Sequence, residues 1–232
     1  MALPDWVRLP TRWIEDGGLR RLRWKEQGST GTAALMLLLP LAHRVDQSTG
    51  SGSATYDELS EATELSRTKI SEGLALLQGL GLIQRDPERR SGFTLLGFGP
   101  NGWGKLPAKR LYVGKGLFAF REFHLRKYVE LNALKLYLLV VARRDTKTNL
   151  AHLTYDQIAE RSGIDPSHIR SAISLLAAAG LMHIERVPSL SNEFGVANAY
   201  RLTYLDSFTH MGTSGRKTLS EGSFFAATDE GL

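Results

Sequence analysis

Apolar residues recur along this chain in two kinds of stretch. The first is continuous: ALMLLLPLA at Ala34–Ala42, with Ala33 before it. Spanning a bilayer takes ~20 apolar residues. This run is about half as long, so it reads as a buried core helix. The second kind has helical spacing. Leu131, Leu134, Leu138 and Ala142 fall on one face of a helix expected from about Val129 to Arg144. Polar turn formers, DTKTN, end it. Ile158 and Tyr155 then anchor a second helix, YDQIAERS, and Ile169, Ile173 and Leu176 a third. The same third-helix pattern appears at Ile70, Leu74 and Leu77.

The helix ends are written in side chains. Thr154 with Gln157, and Thr55 with Glu58, have the spacing of a capping box, which satisfies two orphan backbone N–H groups. Gly163 closes the second helix in the left-handed conformation. Asp165 caps the third, with Pro166 at its first position, and Ser66 is the corresponding cap upstream. After Gly180, LMHIERV and AYRLTYL (from Ala199) are expected strands, joined by SLSNEFGVAN.

TYDELSEAT begins at Thr55 and TYDQIAERS at Thr154, an offset of 99 that holds without a gap. Upstream it pairs Leu35 with Leu134, Leu39 with Leu138 and Asp46 with Asp145; downstream it pairs Ile70 with Ile169 and Gly81-Leu82 with Gly180-Leu181. One register held through helix, loop and helix indicates two copies of one domain. The copies are assigned to residues 1–105 and 106–206, followed by a Gly/Ser/Thr-rich tail, 207–232, expected to be mobile. A fainter echo of LPTRWIEDGGL (from Leu9) in LPAKRLYVGKGLF (from Leu106) places a lead-in strand before each first helix and a boundary near Lys105–Ala108. Phe118, Phe120 and Phe123 are expected to pack on the second copy's first helix.

Helix, helix, short turn, helix and strand hairpin is the order of a winged helix-turn-helix. LTYDQIAERSGIDPSHIRSAISLLAAAGLMHIER resembles the winged-helix superfamily, over Ala33 to about Phe98 and again over Leu131 to about Leu205. The expected fold class is therefore mainly α with small β wings (α+β), as two tandem winged-helix domains related by internal duplication. The resemblance implies binding to double-stranded DNA. The tandem arrangement looks like that of plasmid or phage replication initiators, and the single units like those of bacterial transcriptional regulators. A protein-interaction scaffold built on winged helices is the alternative from another class.

The third helix of each copy would enter the major groove, where residues of its first turns reach base edges. Its apolar stripe faces the core, which leaves Ser66, Arg67, Thr68, Lys69, Ser71 and Glu72 in the first copy, and Ser167, His168, Arg170 and Ser171 in the second. Arg67 and Arg170 are the candidates for guanine, because a planar fork can bond it twice. Arg85, Arg89 and Arg90 line the first wing, QRDPERRSGF, as candidates for phosphate or minor-groove contact. A solvated hairpin is the alternative reading of that wing. The second wing has only Arg186 and Arg201 near it.

Composition narrows this picture without changing it. The formal net charge is +5, a modest lean toward a polyanionic partner. There are no cysteines, which removes disulfides and thiolate metal sites and fits a cytoplasmic location. The opening MALPDWVRLPTRW lacks an apolar core of the signal-peptide kind, and no membrane partner is expected. Gly97, Gly99 and Gly102 spell G-x-G-x-x-G, but Pro100 interrupts them and no helix is expected to follow, so they read as a flexible connection made basic by Lys105, Lys109 and Arg110. The six histidines have no metal-ligand spacing. The expectation is a binding protein with no cofactor, metal or catalytic residues, and with a second copy or the replication or transcription machinery as further partners.

Overall fold

The computed structural model describes residues 3–188 and 196–205. The chain opens with β1 (Trp6–Pro10), α1 (Arg12–Glu15), a 3-10 turn (Gly18–Arg21) and α2 (Trp24–Gln27). A first winged unit follows: α3 (Ser29–Ala42), β2 (Ser51–Ser53), α4 (Tyr56–Thr63), α5 (Arg67–Gly79), β3 (Ile83–Arg85) and β4 (Gly92–Leu95). A second lead-in comprises β5 (Trp103–Pro107), a 3-10 turn (Lys109–Leu111), β6 (Tyr112–Val113), β7 (Gly116–Leu117) and a further turn (Phe118–Glu122). The second winged unit is α6 (Tyr128–Arg143), β8 (Leu150–His152), α7 (Tyr155–Ser162), α8 (Pro166–Ala178), β9 (Met182–Pro188) and β10 (Val196–Leu202). The fold is mixed α and β with small antiparallel sheets.

Both wings have one strand more than the sequence pattern indicates. β2 pairs with β4, which pairs with β3; β8 pairs with β10, which pairs with β9. The extra strands, SGS and LAH, are too short to show a period. They follow a matched turn. Asp46 accepts hydrogen bonds from the amides of Ser48 and Thr49, both at 2.9 Å, and Asp145 does the same for Lys147 at 2.9 Å and Thr148 at 2.8 Å. The Ser48 hydroxyl, which also donates to Asp46, and then the two amides hold that carboxyl down at about 2, and the Thr148 amide is the main cause that lowers Asp145.

Several expectations are corrected. α6 is not a one-faced helix, since every residue from Glu130 to Val141 is buried. It packs on α8, on β5 and on α3, so no side is left for solvent. Tyr155 is 36% exposed and does not pack the core, whereas Tyr56 is half-buried against it. The connection after Gly102 is not flexible: Lys105 lies in β5, paired residue by residue with β1. Phe120 and Phe123 are buried against each other, but Phe118 lies beside Gly180 and Tyr204, beyond the end of α8. Residues 207–232 lie outside the described residues.

The two expected lead-in strands pair with each other. β1 and β5 run antiparallel, with Arg8 opposite Lys105 at the centre and Trp6 opposite Pro107 at one end. Trp6 and Trp103 stack at 6.2 Å, and the Lys105 ammonium sits 4.5 Å from the Trp6 ring centre. Behind the ribbon lies α6: a Cβ on Gly104 would come within 2.3 Å of the Val141 carbonyl oxygen. One hydrophobic cluster runs through both winged units, from Val7 to Leu202.

His43, the residue closing α3, ties this ribbon down. Its Nε2 donates to the Pro107 carbonyl and its Nδ1 accepts from the Tyr112 hydroxyl, both at 2.9 Å. Burial is the main cause that holds it neutral, with a pKa lowered to about 3. An unfolded histidine takes a proton below ~6.5. The stabilisation from His43 is therefore complete above that pH and is lost as pH falls from there towards 3. Thermal melts between pH 7 and 4 should fall more steeply for the wild type than for His43→Gln.

The two helix-turn-helix turns differ at one position. The residue closing α7 is Gly163 (φ 67°), but the one closing α4 is Glu64 (φ 59°). A side chain in the left-handed region costs roughly 1–2 kcal/mol, partly offset by glycine's greater chain entropy. Glu64→Gly should therefore raise stability by about 0.5–1 kcal/mol, read as a higher midpoint in urea.

Candidate nucleic-acid interface

In each winged unit a capping box starts the helix before the turn. The Thr55 hydroxyl accepts from the Glu58 amide at 3.2 Å, while the Glu58 carboxylate accepts from the Thr55 amide at 2.7 Å. Thr154 and Gln157 repeat this at 3.2 Å and 3.0 Å. Near the helix end the Thr63 hydroxyl donates to Leu59 O at 2.6 Å, and the Ser162 hydroxyl to Ile158 O at 2.5 Å. The chain then turns, and Ser66 and Asp165 cap α5 and α8 through the amides of Lys69 and Ser167. Ile70, Leu74 and Leu77 on α5, and Ile169, Ile173 and Leu176 on α8, are buried. The opposite face of each helix is left open.

Most predicted contact residues stand on those open faces. Ser66, Arg67, Thr68 and Ser71 are exposed on or beside α5, as are Ser167, Arg170 and Ser171 on α8; Lys69 and His168 are half-buried. Several are already engaged. Arg67 forms an ion pair with Asp57 at 2.5 Å. Lys69 reaches Glu72 at 2.6 Å, and Glu72 also accepts from the Thr30 hydroxyl at 2.8 Å. These hydrogen bonds, with Lys69 first and Thr30 next, lower the Glu72 pKa. The Ser167 hydroxyl donates to Asp165 at 2.5 Å and that of Ser171 to the His168 carbonyl at 2.8 Å. The His168 ring lies 4.3 Å from that of Tyr128. Arg170 has no ion-pair or side-chain hydrogen-bond partner among the described residues and is the readier of the two arginines.

On the first wing Arg85, Arg89 and Arg90 are exposed, with guanidinium groups unpaired among the described residues. The turn between β3 and β4 is set by Asp86, which accepts from the amides of Glu88 at 2.9 Å and Arg89 at 3.2 Å. Arg186 is exposed on β9. Arg201 is committed to structure: it pairs with Glu185 and donates to the Thr148 carbonyl at 2.9 Å.

Two further cations are brought near the start of α8. Glu130, buried in the first turn of α6, accepts from the backbone amides of His124 and Arg126, both at 3.1 Å. That fixes the approach to α6 and sets exposed Arg126 and Lys127 just before Tyr128, beside the start of α8. Exposed Lys25 lies in the matching approach to α3. The sequence signal was present: residues 105–127 hold seven Lys and Arg and one acid.

This arrangement, an open helix presented by a capped turn and flanked by a β wing, defines the second unit as a winged helix-turn-helix. A family model described as a helix-turn-helix domain matches residues 130–182, from the first turn of α6 to the start of β9. A helix-turn-helix domain is a DNA-binding module. No curated protein matches the chain. No helix among the described residues is long and apolar enough to cross a membrane.

The Asp57–Arg67 pair is exposed on both sides, so it is weak and opens at little cost. Asp57 nevertheless holds a negative charge beside the phosphates that Arg67 would approach. Asp57→Asn should tighten duplex binding several-fold at low salt, measured by fluorescence anisotropy, with the gain shrinking as salt is raised.

Proposed function

We propose that this chain is a sequence-specific double-stranded DNA-binding protein that reads its site with two winged helices. The units are residues 1–105 and 106–206, derived from one ancestral domain by internal duplication. Within that class the proposed role is initiation of replication on a plasmid or phage, in the cytoplasm; repression of transcription is the nearest alternative. Binding without catalysis, cofactor or metal is part of the proposal.

The observation that carries it is the close correspondence of the two turns, in which the second cap accepts from the third helical residue at Ser66 and from the second at Asp165. Cap, box partner, hydroxyl bond to the preceding helical turn, left-handed residue and second cap recur at matched positions. Most residues that differ between α5 and α8 are exposed or half-buried, and the buried differences, Gly73 for Ala172 and Leu74 for Ile173, are conservative. Protein contact by the second unit is favoured by one feature, the small neutral surface of α8 at Ser167, Ser171, Ser174 and Ala177.

A salt titration of duplex binding tests the DNA reading. Each phosphate contact contributes about −0.9 to the log–log slope, so Arg89→Ala and Arg90→Ala should each reduce its size by about one. Arg67→Ala and Arg170→Ala should each weaken discrimination between bases by roughly 1–3 kcal/mol in selection from random duplexes. A flat slope in the wild type would point to the protein-contact reading instead. Opening of origin repeats on binding would support initiation; occupancy confined to promoters would support repression.

A further inference from the structure

We propose that the DNA site is a pair of inverted, unequal half-sites at fixed spacing, because the two readers are related by an approximate two-fold axis. The inference rests on the DNA-binding reading above.

The axis is visible first in the ribbon. β1 and β5 carry Trp6 and Trp103, Arg8 and Lys105, Leu9 and Leu106, and Pro10 and Pro107 at matching places in their sequences. They pair antiparallel with Arg8 opposite Lys105. Matching residues of two antiparallel strands, centred on a matching pair, are related by a two-fold axis through that pair.

The same exchange continues beyond the ribbon. The turn after β1 crosses to the second unit, where it packs on α7 and Arg20 lies against Gly163. The segment after β5 crosses to the first unit, where β7 packs on α4 and Lys115 pairs with Glu61 at 3.1 Å. Each lead-in thus covers the other unit's helix-turn-helix before entering its own first helix. Between them α3 and α6 meet, with Gly31 beside Leu131.

Both readers lie at one pole of this axis. The first turns of α3 and α6 touch the readers, through Thr30 and Glu72 in one unit and Tyr128 and His168 in the other. Their last turns touch the ribbon, through His43 and Pro107, and Val141 and Gly104. Tyr128 and Val141, the contact residues at the two ends of α6, are about 13 residues apart, a rise of ~20 Å. The ribbon is therefore remote from the readers, and both readers can meet one face of one duplex. Helices related by a two-fold axis across a duplex read it in opposite senses, which gives inverted half-sites. Readers related by translation would give direct repeats. The halves are unequal because the exposed residues of α5 and α8 differ.

Selection of bound fragments from random duplexes tests this with a symmetrised chain. Grafting the differing residues of the first two turns of α8 onto α5 (Arg67→Pro, Thr68→Ser, Lys69→His, Ser71→Arg, Glu72→Ser) should yield a palindrome, bound at least ~10-fold tighter than the same halves as direct repeats. The reciprocal graft (Pro166→Arg, Ser167→Thr, His168→Lys, Arg170→Ser, Ser171→Glu) should yield a different palindrome, and serves if the first does not fold. On the wild-type site, inserting five base pairs between the halves should cost at least ~10-fold, since half a helical turn moves one half off the bound face. Direct repeats from a folded graft, or indifference to the insertion, would overturn the two-fold inference and leave DNA binding standing. No duplex binding by the wild type at low salt would overturn both.

Discussion

A helix that is apolar on every side has no place on a surface. α3 is buried from Gly31 to Ala42 and α6 from Glu130 to Val141. Within its own unit each first helix is covered by the two helices of the turn, α4 and α5 for α3 and α7 and α8 for α6. Here the remaining sides are covered by the other first helix, by the ribbon and by the exchanged lead-ins. The requirement to bury these two helices therefore fixes how the halves sit, and one large apolar cluster runs through both. Lys135 shows how strict the requirement is. It is fully buried on α6, its ammonium donates to the Leu22 carbonyl at 2.9 Å, and burial pulls its pKa down to about 8. The position 99 residues earlier holds the neutral Met36, equally buried on α3.

The ribbon closes this arrangement with few residues. Its inner face is Val7, Leu9, Leu106 and the close-packed Gly104; its outer face is two tryptophans and two cations. Each cation lies over the ring of the opposite strand, at 5.6 Å for Arg8 on Trp103 and 4.5 Å for Lys105 on Trp6. Such contacts contribute about 0.5–1 kcal/mol each at exposed sites. They hold the strand pair in one register while leaving its main stabilisation to the apolar inner face.

What could be read from the sequence was local. The capping boxes, the caps at Ser66 and Asp165, Gly163 and the three-residue apolar stripes of α5 and α8 all depend on residues within a turn or two of one another. The repeat offset extended that reading across the chain. The pairing of β1 with β5 spans some 97 residues and has no local signature. Neither does the crossing of each lead-in to the opposite unit. WVRLP and WGKLP are too short for alternation to mark them as strands, and their tryptophans resemble core residues until Trp6 proves to be 37% exposed. Tyr155 was misread for a related reason. The matched Tyr56 lines a small pocket with Leu74 and Phe93, and the sequence match hid the difference in surroundings.

The surroundings of α5 and α8 diverge in charge. α4 brings Asp57, Glu58, Glu61 and Glu64 to the first unit, and Glu72 lies on α5 itself. Glu58 is spent in its capping box, which lowers its pKa through the Thr55 amide and then the Thr55 hydroxyl. Asp57 and Glu72 instead hold Arg67 and Lys69. The first reader thus has more cations than the second and fewer that are unengaged, while its wing adds Arg85, Arg89 and Arg90. The second reader keeps Arg170 open and has Arg126 and Lys127 beside it. On one duplex this division would give the first unit its grip through the wing and the second its grip through the reader. Two units that share one frame of caps and turns would then make unlike contacts, because the exposed residues on α5, on α8 and on the wings differ.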